Sequence, residues 1–307
     1  MVNRLDRCDA TKYIRNFWNA TRDFTREKAL YRAITNRVKT PRDAKNLLQD
    51  LDALAESYHY MVYPSEMICQ PEDPAYKVKL SLSSLRMLNA KTFYPIILAM
   101  KKQGSYNDAD LFKVVKIIEC YVFRNSTICR KTANSMERYF SDIAQKIYGE
   151  DLNTVEDICV EIRKGIVSDD EFKESFKIWT GSSSYKDTIR YILRNIHQYL
   201  CKSNELLPNN NNMEVHIEHI MPEDNSEWKV DDEIHDTYLW RLGNLCLLSG
   251  PKNQSISNKP FSEKRGVYLE SQIEPNKSIA ENTIWNDETI EKRQELFATY
   301  ALEIWKK

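Results

Sequence analysis

Glycine is scarce in this chain of 307 residues, which contains only seven. Because glycine supplies the left-handed backbone of many tight turns, a protein built from β-hairpins needs more of it. Leucine, isoleucine, lysine, glutamate and arginine, which favour helices, are abundant. The composition therefore predicts a mainly helical fold.

The chain also lacks the patterns of several other protein classes. It has no charged-then-apolar leader and no run of 18 apolar residues, which predicts a cytoplasmic protein with no membrane segment. The seven cysteines are scattered without a Cys-x-x-Cys pair, which predicts reduced thiols and no structural zinc. The net charge is only -1, so any affinity for nucleic acid must come from local patches.

Signals for the start of helices recur along the chain. Asp9, Thr40 before Pro41, and Asn107 or Asp108 each precede apolar residues at helical spacing. Further helices are predicted at 154–164, 169–179 and 184–201, and a last one is predicted to have Asp287 as its cap. The polar, turn-prone run 206–212 predicts a surface linker between two domains.

Three of the five histidines fall between residues 215 and 268. In this window Glu218 and His219 end one apolar run, Asn244 begins another, and Asn253 follows a Ser-Gly-Pro turn. The pattern predicts a strand, a long loop, a second strand, a turn and the start of a helix. Such an arrangement would bring Glu218, His219 and Asn253 into one small site.

These residue types suit the hydrolysis of a phosphodiester. His219 can act as a base near neutral pH, and Glu218 and Asn253 offer the oxygen ligands that Mg²⁺ or Mn²⁺ prefers. Cationic side chains that could hold phosphate follow at Lys252, Lys259, Lys264 and Arg265.

Other interpretations of the same residues fit less well. A lone histidine on an apolar strand is usually a hydrogen-bonded core residue, and LGNLCLL alone is an ordinary buried strand. The zinc peptidase pattern HExxH is absent. The His-x-Glu element of zinc deaminases is present at 216–218, but the Pro-Cys-x-x-Cys that it requires is missing.

The segments EHIMP, LGNLCLL and KNQSISNKPFSEK, in this order, resemble the HNH (ββα-metal) nuclease domain at the C-terminus of GmrSD-type, modification-dependent restriction enzymes. The resemblance implies that His219 is the general base, that Asn244 braces the loop carrying it, and that Glu218 and Asn253 hold the metal. His216 is expected to have a supporting role, because it shares a strand face with Glu218.

The resemblance also implies an architecture. We expect an all-helical domain at 1–205, a small α+β nuclease domain at 206–275, and a C-terminal helix at 276–307 that packs back on the helical domain. The full-length enzymes carry a nucleotide-hydrolysing ParB-like domain whose motif this sequence lacks. A ParB-like domain or subunit outside this chain is therefore an expected partner.

The resulting hypothesis is a divalent-metal-dependent HNH endonuclease that nicks modified DNA in phage restriction, with a homodimer possible if both strands are cut. Two alternatives stay open. One is a non-catalytic module that binds nucleic acid or a partner, and the other is an RNase that uses the same site.

Overall fold

The computed structural model describes residue 5, residues 7–201 and residues 213–307. The chain divides into two compact units, Met1–Val167 with Lys307, and Ser168–Lys306. The predicted linker at 206–212 and the predicted boundary after residue 205 lie outside the described residues. The division that the structure does show comes earlier, before the helix that begins at Asp169.

In the part of the first unit that the structure describes, all regular structure is helical. Its helices are α1 (Ala10–Thr21), α2 (Glu27–Arg37), α3 (Pro41–Val62), α4 (Pro74–Met87), α5 (Tyr94–Gln103), α6 (Asp108–Tyr121), α7 (Ala133–Tyr148) and α8 (Val155–Lys164), with a π-helical segment at Val122–Ile128.

Polar side chains begin several of these helices, as predicted. Asp9 caps α1, and Thr40 and Asn107 each form a reciprocal capping box at the start of α3 and α6. Residues 94–100 of α5 are all buried, so this helix is the centre of the unit, with α1, α3 and α7 packed around it.

The second unit combines helices with one small sheet. Its helices are α9 (Asp169–Ile178), α10 (Lys186–Cys201), α11 (Asp232–Tyr238), α12 (Gly250–Ile256), α13 (Phe261–Leu269), α14 (Lys277–Ala280) and α15 (Asp287–Ile304), and its strands are β1 (Val215–His219) and β2 (Leu245–Ser249). The prediction of a mainly helical chain with a small α+β part is confirmed.

The two strands form an antiparallel pair that positions the candidate site. Val215 lies opposite Ser249 and His219 opposite Leu245. Strand, loop, strand and helix follow in the predicted order, but the helix begins directly at Gly250, so the predicted Ser-Gly-Pro turn is its N-terminus. The acidic loop between the strands contains the short helix α11, which the sequence pattern did not indicate.

The C-terminal helix α15 packs on α9, α10 and the 3-10 turn Leu242–Asn244 before β2. Its cap is Asn286, whose side chain accepts the backbone N–H of Thr289. The prediction that Asp287 is the cap was wrong by one residue, because Asp287 is already the first helical residue. A capping box needs an extended backbone at the cap, and here Asn286 has it.

Aromatic side chains on α9 belong to the core of this unit. Phe172 and Phe176 of α9 are buried, and so is Trp179, the residue directly after the helix. Among the described residues, no helix combines the length and the apolar character needed to cross a bilayer.

Candidate active site

His219 is the last residue of β1, and its ring is held in a confined place. Trp240 lies edge-on to the imidazole, with ring centroids 4.5 Å apart. Burial, followed by the charges of Lys264 and Lys186, lowers the pKa of His219 to about 4. Its Nε2 atom is buried and has no hydrogen-bond partner among the described residues. At neutral pH this imidazole is uncharged and can accept a proton.

Asn244 fixes the turn that follows β1. Its Oδ1 accepts the backbone N–H of Met221 (2.8 Å) and the indole N–H of Trp285 (3.0 Å). Its Nδ2 donates to the carbonyl oxygens of Met221 (3.0 Å) and Leu239 (3.1 Å), and its own carbonyl accepts the N–H of Ile220 (2.9 Å). Because Asn244 is fully buried, these bonds tie the turn rigidly to the residue that precedes β2.

Asn253 lies in α12 and approaches β1 from the helical side. Its Nδ2 is 3.5 Å from Nδ1 of His216, at the limit of hydrogen bonding. Its Oδ1 is buried and, among the described residues, has no hydrogen-bond partner. A buried amide oxygen without a donor costs free energy unless a cation or water meets it. This atom is therefore the first candidate for a metal ligand.

Glu218 forms a buried ion pair with Lys264. Nζ of Lys264 donates to Oε1 of Glu218 (2.8 Å) and to the carbonyl oxygens of His219 and Ile220 (3.2 Å each), and the Tyr268 hydroxyl is 3.5 Å from the same Oε1. Burial raises the pKa of Glu218, while the Lys264 charge opposes the shift. Both described contacts use Oε1, so Oε2 remains as the oxygen that could meet a cation.

A polar cavity of about 570 Å³ joins these groups. Its walls come from the start of α10, from β1 and the turn after it, from Trp240, and from α12 with the residues after it. Among the predicted site residues, the cavity is lined by His216, Glu218, His219 and Asn253. Asn244 lies behind it, buried, where it holds the turn rather than facing the cavity.

Residues 166–300 match the family model of GmrSD restriction endonucleases, C-terminal domain. The predicted resemblance is confirmed over this part of the chain. The matched GmrSD-like region covers nearly all of the second compact unit, from α9 to α15, and includes the whole cavity. It therefore supports a restriction-endonuclease type of nuclease in this unit. No curated protein is similar enough to the chain to count as a match.

The structure does not bring the four predicted phosphate-binding residues into the cavity of the GmrSD-like region. Lys264 is completely buried in its ion pair, and the Arg265 guanidinium donates to the carbonyl oxygen of Ala280 (2.9 Å from Nη2). Lys252 pairs with Glu270 at 3.3 Å. Lys259 is exposed, and of the four it is the one whose side chain has no described ion pair or hydrogen bond.

Sequence reasoning missed two cations that do line the cavity, Lys186 and Arg190 on α10. Their spacing of four residues places them on one face of a helix, a signal visible in the sequence. Nothing in the sequence indicated that this face lies beside β1, because α10 and β1 are separated by the low-complexity run. Trp240, which the sequence motif does not include, contacts the His219 ring.

A divalent cation at this site would have only a few protein ligands. Among the described residues, no three His, Cys, Asp or Glu side chains are grouped to hold a metal. Asn253 Oδ1 and Glu218 Oε2 are hard oxygen donors on the cavity, with His216 beside them. Mg²⁺ commonly keeps several waters and one or two carboxylate ligands, so this donor set is compatible with it.

Proposed function

We propose that the second unit is a divalent-metal-dependent HNH endonuclease that cuts one DNA strand per site. The observation that carries the proposal is a neutral His219, with a buried and unpartnered Nε2, in the same polar cavity as the unpartnered Oδ1 of Asn253. The match to GmrSD restriction endonucleases supports the same class of reaction.

In this proposal His219 takes the proton of the attacking water. A general base must be unprotonated at the working pH, and burial provides that state here. Asn244 takes no part in the proton transfer. Its bonds to Met221 and Leu239 fix the turn that directly follows His219, and so hold that residue in place. Trp240 restricts the ring by its edge-on contact.

Asn253 Oδ1 and Glu218 Oε2, with His216 in support, would hold Mg²⁺ or Mn²⁺. A cation bound there would take up the negative charge that develops on the phosphate and the leaving oxygen. Burial raises the pKa of Glu218 and the Lys264 charge opposes that rise, while the hydrogen bond from Lys264 Nζ holds the carboxylate in place as a ligand. We assign Lys264 this role in place of a contact with phosphate.

The proposed substrate is modified DNA, and the proposed setting is phage restriction with a ParB-like nucleotide-binding partner. Support comes from the family description of restriction endonucleases. One site cuts one strand, so a double-strand break requires two chains.

The test is nicking of supercoiled plasmid, unmodified and with glucosylated bases, in Mg²⁺ or Mn²⁺. We expect nicked circles that disappear with EDTA and with His219→Ala. His59→Ala is the matched control, since it removes a histidine from the first unit and should leave nicking unchanged. Calorimetry with Mn²⁺ alone should show binding that weakens in Asn253→Ala.

The alternatives give different results in the same experiment. Mn²⁺ binding with cleavage of matched RNA but not of DNA would identify an RNase. DNA binding by folded protein with neither cleavage nor metal binding would contradict the proposal and favour the non-catalytic module.

A further inference from the structure

We propose that Arg190 is a phosphate-binding residue of this site, contributed by α10 from outside the HNH motif. The inference rests on the proposed function, since it places the DNA backbone in the cavity beside His219. It concerns a residue that neither the motif nor the family match singles out.

The first argument is the state of the guanidinium itself. Only 5% of Arg190 is exposed, yet its Nη1 has no hydrogen-bond partner among the described residues. The carboxylate of Asp187, one turn earlier on α10, attracts the Arg190 guanidinium from a distance, but the two side chains form no ion pair. A buried cationic donor without an acceptor destabilises the fold. An acceptor that enters the cavity from outside, such as a phosphate oxygen, would remove this cost.

The second argument compares Arg190 with the other arginines in the interior of this unit. Arg293 donates to the carbonyl oxygens of Gly243 and Leu245 at 2.8 Å, and its guanidinium lies over the Phe297 ring. The guanidinium of Arg241 donates to a backbone carbonyl and to a side-chain amide. Nε of Arg293 is also buried without a described partner, but the Nη1 of Arg293 and the guanidinium of Arg241 donate to acceptors of the fold, whereas Arg190 lines the cavity and has no described acceptor.

The third argument is the charge of the cavity. The Glu218 charge is balanced by Lys264, and Glu223 is mostly exposed, with 67% of its side chain accessible. Lys186 and Arg190 remain as two cations one helical turn apart on the same wall. An anion with several oxygens, such as a phosphodiester, fits a planar guanidinium there because the fork can donate two parallel bonds.

The test measures the salt dependence of DNA binding, which counts phosphate contacts without requiring cleavage. A short fluorescein-labelled duplex is titrated with protein in EDTA at several salt concentrations. In Arg190→Gln the slope of log K against log salt should fall by about 0.9, and in Arg190→Lys it should be retained. Lys292→Gln, which removes an exposed cation from α15, is the charge-matched control and should keep the wild-type slope.

Thermal unfolding of the same variants separates a role in binding from a role in the fold. Because Arg190 lacks an internal acceptor, Arg190→Gln should unfold at the wild-type temperature or above it. A lower unfolding temperature, failure to fold, or an unchanged salt slope would each overturn the proposal. A changed slope in a protein that never nicks plasmid would sustain the phosphate contact while rejecting the nuclease.

Discussion

Burial sets the protonation state of the candidate base. His219 has no partner on Nε2, and its contact with Glu223 Oε1 from Nδ1 is 3.8 Å long, which is too far for a strong hydrogen bond. Burial lowers the pKa of His219, and the positive charges of Lys264 and Lys186 lower it further. The protein should therefore lose stability in acid, because the buried site of His219 disfavours a protonated imidazole.

The first prediction follows from that shift. Folded His219 has a pKa of about 4 against 6.5 for the ordinary group, so between these values the unfolded chain binds more protons. The free energy of unfolding should therefore fall as pH drops from 6.5 to 4, by up to about 3 kcal/mol from this residue.

Urea unfolding in EDTA at several pH values measures this dependence. Replacement by glutamine in His219→Gln removes the titrating group, so the difference between the two proteins should shrink or reverse as pH falls. Parallel curves for wild type and variant across this window would show that His219 does not have a lowered pKa.

At the scale of elements, the contact between α15 and the turn before β2 aligns the site. Gly243 donates its N–H to Gln294 Oε1 (3.1 Å) and accepts from Arg293 through its carbonyl oxygen. A Cβ atom at this position would lie 2.0 Å from the carbonyl oxygen of Ile290, which is backbone and cannot move aside. The turn thus needs glycine to let the helix approach Asn244.

The second prediction compares two glycines of the same unit. Gly243→Ala should destabilise the protein by about 3 kcal/mol, because the helix must shift to relieve the clash. Gly266→Ala in α13 is the matched control, since a Cβ there meets nothing within 4 Å. That control should stabilise the protein by about 0.5 to 1 kcal/mol. Chemical denaturation measures both, and equal effects of the same sign would contradict the account.

The buried pair of Glu218 and Lys264 joins two elements, β1 and α13. The Lys264 ammonium also donates to the carbonyl oxygens of His219, at the end of β1, and of Ile220 directly after it. Removing one member alone would leave the other charge buried and unpaired. The lysine that follows the HNH motif in sequence therefore belongs to the framework that presents Glu218.

At the scale of the whole molecule, the nuclease motif depends on helices that lie outside it in sequence. The core beside β2 includes Ile279, Trp285 and Ile290, all of which follow residue 275. Cavity walls come from α10, which precedes residue 202. A piece limited to the predicted nuclease domain, 206–275, would lose both.

The third prediction concerns these boundaries. A fragment of residues 168–307 should unfold cooperatively and nick plasmid with Mn²⁺, because it retains α9, α10 and α15 around the sheet. A fragment of residues 206–275 should show neither cooperative unfolding nor nicking. Tryptophan fluorescence during urea unfolding measures folding, and a cooperative transition in the shorter fragment would restore the predicted boundary.

Local patterns in the sequence determined much of the secondary structure and the order of the site. Capping residues such as Thr40 and Asn107 act within one turn, and the strand, turn and helix around Asn253 are encoded by neighbours. The motif also predicted that Glu218, His219 and Asn253 lie close together, because a hairpin followed by a helix leaves little freedom in their placement.

Tertiary structure alone decided how the charges are used. Lys264 and Arg190 are both cations on helices, yet one is buried against Glu218 and the other faces the cavity without a described acceptor on Nη1. Burial and pairing depend on residues distant in sequence, such as those of α10 and β1. A charge pattern read along the chain therefore could not separate a framework lysine from a candidate phosphate-binding arginine.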